Sequence, residues 1–62
     1  MSRPKPRFHV HAKVSTDWLV YAEVKDTYWC SQDETYMYVL QYGPGGSSEA
    51  HVRESLIYHY TN

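Results

Sequence analysis

The segment Thr35–Tyr42 constrains the fold of this chain more than any other, because its side chains alternate with the two-residue period of a β-strand. One face of that strand would carry three tyrosines and a leucine: Tyr36, Tyr38, Leu40 and Tyr42. The opposite face would also be largely apolar: Thr35, Met37, Val39 and Gln41. A strand with one solvated face normally shows polar residues there. We therefore expect this strand to lie centrally in a sheet, in a barrel or at an interface.

Two earlier runs predict a β-hairpin near the start of the chain. Residues 8–14 and 18–25 both alternate, and residues 15–17 are suited to a turn between them. The apolar positions of the two runs would form one face each: Phe8, Val10, Ala12 and Val14, then Trp18, Val20, Ala22 and Val24. Asp26 and Thr27 would interrupt the second strand, and residues 28–30 would form a short third strand before the polar loop 31–34.

The C-terminal third can be read in two ways. Residues 43–48 contain three glycines and a proline, which end regular structure. Residues 49–55 include good helix formers, whereas residues 56–61 are rich in β-branched and aromatic side chains, which favour a terminal strand. We predict a mostly β fold, a single small antiparallel meander or partly open barrel of four to five strands. The alternative is an α+β fold, an antiparallel sheet with one C-terminal helix.

The charges divide the chain into an arm and a domain. Residues 1–7 form a basic, proline-rich arm in which Arg3, Lys5 and Arg7 alternate with two prolines, a pattern that favours extended backbone. Residues 8–62 form one small domain with three Lys or Arg against seven Asp or Glu, a net charge of −4. The arm therefore suits an anionic contact, and the domain suits a basic one.

Size and cysteine content suggest where the protein works and how it assembles. Cys30 is the single cysteine, so an intrachain disulfide is impossible and a reducing, cytoplasmic location is expected. The chain has no apolar run long enough to cross a bilayer, so no membrane association is expected. A 62-residue chain cannot easily cover a strand that is apolar on both faces, and we expect a homodimer or a tight hetero-complex.

Residues that could perform chemistry are few. His9 and His11 would share one face of a strand and could chelate zinc or copper, but alternating histidines on a solvated face need no metal. Cys30 with one of the four histidines would satisfy the composition of a cysteine nucleophile and its base, as many unrelated sequences would. We expect no enzymatic activity, no cofactor and no metal, with His9 and His11 exposed to solvent.

The aromatic content favours a binding function. Seven Tyr, two Trp and one Phe occur in 62 residues, and Tyr and Trp dominate binding hot spots. We predict a protein-interaction or inhibitor domain that applies an aromatic, acid-rimmed surface to a basic protein surface. Its predicted residues are four aromatics and three carboxylates: Tyr21, Trp29, Tyr36 and Tyr38, flanked by Glu23, Asp33 and Glu34. In general character the chain resembles the small inhibitory proteins that phages and mobile elements direct against host machinery.

Nucleic-acid binding is the alternative function. Strand-borne aromatics such as Tyr36 and Tyr38 would stack on bases of a single strand, and the cations of the arm, Arg3, Lys5 and Arg7, would follow its phosphates. The net charge of −4 on the domain opposes this reading, because phosphate contacts supply most of the affinity in such complexes. A homodimer interface built from the aromatics is a third reading.

Overall fold

A computed structural model describes residues 3–61; Met1, Ser2 and Asn62, at the ends of the predicted arm and domain, lie outside the described residues. The described chain forms one open sheet of five antiparallel strands, so the predicted fold class is confirmed. The strands are β1 (Lys13–Ser15), β2 (Ala22–Cys30), β3 (Thr35–Tyr42), β4 (Ser48–Arg53) and β5 (Tyr58–His59), arranged in the order β4-β3-β2-β1-β5. Single turns of 3-10 helix cover Pro44–Gly46 and Glu54–Leu56. None of the described helices is long and apolar enough to span a membrane.

Strand β3 has the bounds that its alternation predicts, and it lies between β2 and β4. The loop of the β2–β3 hairpin has four residues, which lie between the paired residues Cys30 and Thr35. The last of the four, Glu34, adopts a left-handed conformation with φ of 51°. The β3–β4 hairpin closes through three glycines that all have positive φ, which Gly adopts without steric cost. Local sequence therefore specifies this half of the sheet.

The predicted first hairpin is wrong in its bounds. Residues 8–12 are not a strand, because His11 turns into a left-handed conformation with φ of 76°. The N–H of His11 donates to the carbonyl of Val24, and the N–H of Val24 donates to the carbonyl of Ala12. His11 and Ala12 therefore both lie opposite Val24, which is the pattern of a β-bulge. The second strand starts at Ala22 and continues through Asp26 and Thr27 to Cys30, so the predicted break and the separate strand 28–30 do not occur.

The loop of residues 16–21 replaces the tight turn expected at 15–17. The buried hydroxyl of Thr16 accepts hydrogen bonds from the N–H groups of Trp18 and Leu19, at 3.2 and 3.0 Å. This hydroxyl competes with strand hydrogen bonding and bends the chain before β2 begins. As a result Trp18 and Val20, expected on the face shared with Ala22 and Val24, are exposed, and Val10 is exposed as well.

The sheet is strongly curled. Arg53 lies opposite Met37 at one end of the sheet, and Tyr58 lies opposite Ser15 near the other end and at the far edge. In a flat sheet these positions would be roughly 30 Å apart, whereas five residue steps of extended chain reach at most about 18 Å. The segment between them can cross only because the sheet bends, and a bulge in β2 between Val24 and Asp26 supplies a bend.

Eight hydrophobic residues form the core on the concave face: Phe8, Val14, Ala22, Val24, Tyr38, Leu40, Val52 and Ile57. Six of them come from the strands, while Phe8 from the N-terminal segment and Ile57 from the crossing segment cover them. The C-terminal part forms strands rather than the alternative helix, since Val52 and Ala50 alternate toward this core.

Tyr38 connects the segments that cover the sheet. Its ring meets Phe8 edge to face at 5.6 Å, and its hydroxyl donates a 2.6 Å hydrogen bond to the Glu54 carboxylate. The same hydroxyl accepts from the N–H of Phe8 at 3.3 Å, and Glu54 also accepts from the N–H of Arg7 at 3.0 Å. One buried tyrosine therefore holds the N-terminal segment and the crossing segment together.

Replacing Tyr38 with Phe should lower the free energy of unfolding by about 1–3 kcal/mol, because the buried N–H of Phe8 loses its acceptor and Glu54 loses its donor. Urea unfolding followed by circular dichroism measures the difference. Tyr28→Phe is the matched control: that hydroxyl contacts exposed His51, and its loss should change stability by less than about 0.5 kcal/mol. Equal effects of the two substitutions would contradict the role given to Tyr38.

The stability that Tyr38 supplies should disappear at high pH. Burial, and after it the hydrogen bond to Glu54, raises the pKa of Tyr38 from 10.0 to about 12. Because the folded-state pKa is higher than the unfolded one, the contribution is complete below pH 10 and is lost as the pH approaches 12. The difference in unfolding free energy between the wild type and Tyr38→Phe should shrink across this window. A constant difference would show that the hydroxyl titrates normally.

Candidate interaction surface

Exposed apolar side chains concentrate at one end of the molecule, around the loop that joins β1 to β2. Trp18, Val20 and Tyr21 belong to this loop, and Tyr58 lies on the neighbouring strand β5; they are 56%, 83%, 42% and 50% exposed. We call these four side chains the loop patch. The described chain exposes seven large hydrophobic residues, and these are four of them. Exposed apolar residues are therefore not spread evenly over the surface.

Hydrogen bonds hold the loop patch in place. The Ser15 hydroxyl donates to the carbonyl of Val20 at 2.6 Å, and the Tyr58 hydroxyl donates to Asp17 at 3.0 Å. The hydrogen bond to Asp17 raises the pKa of the Tyr58 hydroxyl, because it favours the protonated form. The ring of Tyr21 meets that of Tyr60 edge to face at 5.1 Å. The patch is therefore a fixed surface rather than a loose loop.

A shallow cavity of about 240 Å³ adjoins the loop patch at Tyr21. Its wall combines aromatic, acidic and amide side chains with the glycine loop: Tyr21, Glu23, Gln41, Tyr42, Gly43, Gly45 and Gly46. The side chain of Glu23 remains 39% exposed while its carboxylate contacts His11 at 3.0 Å. A Cβ at Gly46 would lie 3.8 Å from Gln41, and its φ of 69° disfavours other residues there. The Tyr21 ring beside the Glu23 carboxylate forms a site that suits a cation.

The residues predicted for the binding surface separate into three places. Tyr21 and Glu23 lie at the loop patch and its cavity. Tyr38 is fully buried, so the prediction that it contacts a partner is wrong. The remaining four lie at the opposite end of β2 and β3, in or beside the connecting turn: Trp29, Asp33, Glu34 and Tyr36. Trp29 lies eight positions after Tyr21 along extended chain, a distance of roughly 25 Å.

At that opposite end the arm lies across the sheet. Trp29 and Tyr36 pair directly, and their rings meet edge to face at 5.0 Å. The guanidinium of Arg3 lies over the Trp29 ring at 5.4 Å, and the Tyr36 hydroxyl donates to the carbonyl of Pro4 at 2.9 Å. Register places both rings on the same face as buried Tyr38, so the arm runs along the covered side of the sheet.

The carboxylates of the turn do not rim the loop patch. Asp33 contacts Arg53 at 3.7 Å and accepts from the Cys30 thiol at 3.8 Å. Glu34 occupies the last position of the turn. The acidic groups that do border the loop patch are Asp17 and Glu23.

Within residues 3–61, the candidate metal and cysteine sites do not come together. His9 and His11 are both exposed, as expected from the sequence, and His11 contacts Glu23. No group of three or more His, Cys, Asp or Glu in this range is placed to hold a metal ion. The hydrogen-bond partner of the Cys30 thiol is the Asp33 carboxylate rather than a histidine.

Four members of this surface, Asp17, Trp18, Val20 and Tyr58, stand outside the predicted site. Alternation assigned Trp18 and Val20 to a buried strand face, because Ala22 and Val24 follow them with the same period. The signal that could have distinguished the exposed Trp18 and Val20 from the buried Ala22 and Val24 is the preceding pair Thr16 and Asp17. Their short polar side chains favour a turn over a strand.

Comparison with known proteins gives no match to a family model, a curated protein or a solved structure. No residue role is therefore transferred to this chain from a relative. What the chain can bind is inferred from the exposure, charge and contacts described above.

The contact between the arm and Trp29 can be tested by fluorescence in a Trp18→Phe background, which leaves Trp29 as the single tryptophan. Replacing Arg3 with Ala should increase quenching of Trp29 by acrylamide, because the guanidinium no longer covers the ring. Lys5→Ala is the control, since Lys5 makes no hydrogen bond or ion pair with the other residues of the described chain. Unchanged quenching in Arg3→Ala would mean that the arm does not rest on Trp29.

Proposed function

We propose that this protein is a non-enzymatic binding module that applies the loop patch to a basic surface of a partner protein. The observation that carries the proposal is the clustering of Trp18, Val20, Tyr21 and Tyr58 as exposed, positioned side chains beside two carboxylates. Large aromatic side chains that lose little entropy on binding are typical anchors of protein interfaces. An inhibitor that occupies a basic groove would use such a surface.

The distribution of charge supports a basic partner. The arm, which carries Arg3, Lys5 and Arg7, follows the covered face toward the Trp29 end, away from the loop patch. The rest of the chain has three Lys or Arg against seven Asp or Glu, and Asp17 and Glu23 border the patch. A basic partner would be attracted to this end, and complementary charges mainly raise the association rate.

The cavity beside Tyr21 offers a place for one basic side chain of the partner. A guanidinium or ammonium group there would meet the exposed carboxylate of Glu23 and the ring of Tyr21. A charge-assisted hydrogen bond and a cation–π contact would act on the same group. We infer that Tyr21 and Glu23 anchor one Arg or Lys, while Trp18 and Val20 supply apolar contact.

The test compares two tyrosines that are equally exposed. Tyr21 and Tyr28 are both 42% exposed, but Tyr28 lies outside the loop patch and contacts His51. With a partner captured from nuclease-treated lysate, Tyr21→Ala and Trp18→Ala should each weaken binding by about 2 kcal/mol, roughly 30-fold. Tyr28→Ala should leave the affinity within about threefold. Calorimetry or surface plasmon resonance on variants with wild-type circular dichroism gives these values.

Charge reversal provides the second part of this test. Asp17→Lys and Glu23→Lys should slow association and remove its salt dependence, whereas Glu34→Lys, at the other end of β3, should not. Equal losses in the Tyr21 and Tyr28 variants, or faster association after reversal at Asp17, would refute the proposal.

A second candidate function is supported by the state of the arm. Within the described chain, no Asp or Glu side chain lies in ion-pair distance of the Arg3, Lys5 or Arg7 side chains, and Arg3 is stacked on Trp29. These cations are available for the phosphates of a single-stranded nucleic acid. Loss of capture on nuclease treatment, with affinity abolished by substitutions at Arg3 and Lys5 and unaffected at Tyr21, would favour this function over protein binding.

A further inference from the structure

Strand β4 leaves one edge of the sheet open. It pairs with β3 along its whole length, from Ser48 opposite Tyr42 to Arg53 opposite Met37. On its other side no strand of the described chain pairs with it. The strand has six residues, whereas β5 at the opposite edge has two. The backbone N–H and C=O groups along β4 can therefore accept another strand.

Nothing in β4 blocks such pairing. Natural edge strands are usually protected by Pro, Lys or a bulge. The sequence of β4 contains neither Pro nor Lys, and its register with β3 runs without a shift. Its two charged residues, Glu49 and Arg53, have opposite signs and lie on the same face, four residues apart.

We propose that two copies of this protein associate through β4, antiparallel, around a two-fold axis at His51. In this register Glu49 of one copy lies opposite Arg53 of the other, and symmetry creates this pair twice. Ala50 lies opposite Val52 on the core face of the joined sheet, again twice. Opposite charges directly across antiparallel strands stabilise the pairing, and like charges destabilise it.

Neighbouring registers lack this match. A shift by one residue places Ala50 opposite His51 and brings the core face of one copy against the outer face of the other. A shift by two residues toward the N-terminus places Glu49 opposite His51 and Arg53 opposite Ser47, so both Glu–Arg pairs are lost. The charge pattern of β4 is therefore self-complementary around His51 alone.

The side chains needed are accessible. Glu49 and Arg53 are 41% and 50% exposed, although each contacts an oppositely charged side chain of its own copy, Lys25 and Asp33. Exposed ion pairs of this kind contribute little stability, so an added partner costs little. The Tyr28 hydroxyl contacts His51 at 3.1 Å, which places a tyrosine from each copy near the axis. The loop patch adjoins β1 and β5 at the other edge, so the dimer leaves both patches free.

The test uses two charge reversals that are each unfavourable alone. In E49R both cross-strand pairs become Arg opposite Arg, and in R53E both become Glu opposite Glu. Each variant should dimerise at least tenfold more weakly than the wild type in sedimentation equilibrium. An equimolar mixture of E49R and R53E should form a heterodimer, because every cross-strand pair is then Arg opposite Glu. Native mass spectrometry identifies that heterodimer by its mass.

The control separates this interface from the ion pairs within one copy. Lys25→Glu breaks the Lys25–Glu49 contact without altering the edge strand, and it should leave dimerisation unchanged. The double variant E49R/R53E should dimerise with itself again. A wild type that is monomeric at all concentrations, or a mixture of the single variants in which no heterodimer forms, would overturn the proposal. A dimer that neither reversal weakens would place the interface elsewhere.

Discussion

The two hydrogen bonds of the Tyr38 hydroxyl are the interactions on which the rest of this structure depends. An open sheet of five strands buries its concave face only if something covers it, and here the cover is two short segments with no regular packing of their own. The hydroxyl accepts from the first segment at Phe8 and donates to the second at Glu54. The bond to Phe8 is buried and the bond to Glu54 is partly buried, so leaving the Phe8 N–H unpaired would cost more than the bond itself contributes. Tyr38 thus converts two loose segments into a lid over the core.

The lid reaches across the sheet because the sheet bends at Val24. Two bulges lie at this residue: His11 and Ala12 oppose it from the N-terminal side, and β2 itself has an extra residue just after it. Bulges bend a strand and increase its local twist. The bend shortens the distance between β4 and β5. The segment that joins them can then cross the sheet while the side chain of Ile57 enters the core.

The bend also separates the surfaces available for binding. The loop patch lies at the edge formed by β1 and β5, the arm follows the covered face toward Trp29, and β4 forms the opposite edge. These places share no contact residue in the proposals made for them. A basic protein at the loop patch and a second copy at β4 can therefore bind together, and such a dimer would present two loop patches. Two linked sites raise the apparent affinity for a partner that offers two contacts.

The sequence by itself determined the strand from Thr35 to Tyr42, the turns on either side of it and the mostly β fold, because alternation and glycine positions act locally. Of the candidate site, it identified Tyr21 and Glu23. It also assigned Tyr38 to the surface, because alternation groups residues by face but does not tell which face becomes covered. Only the tertiary structure decided that Trp18 and Val20 are exposed and that Trp29 lies beneath the arm. The physical reason is that contacts between distant segments decide both: Phe8 and Glu54 meet at Tyr38, 30 and 16 residues away, and no local pattern encodes their meeting.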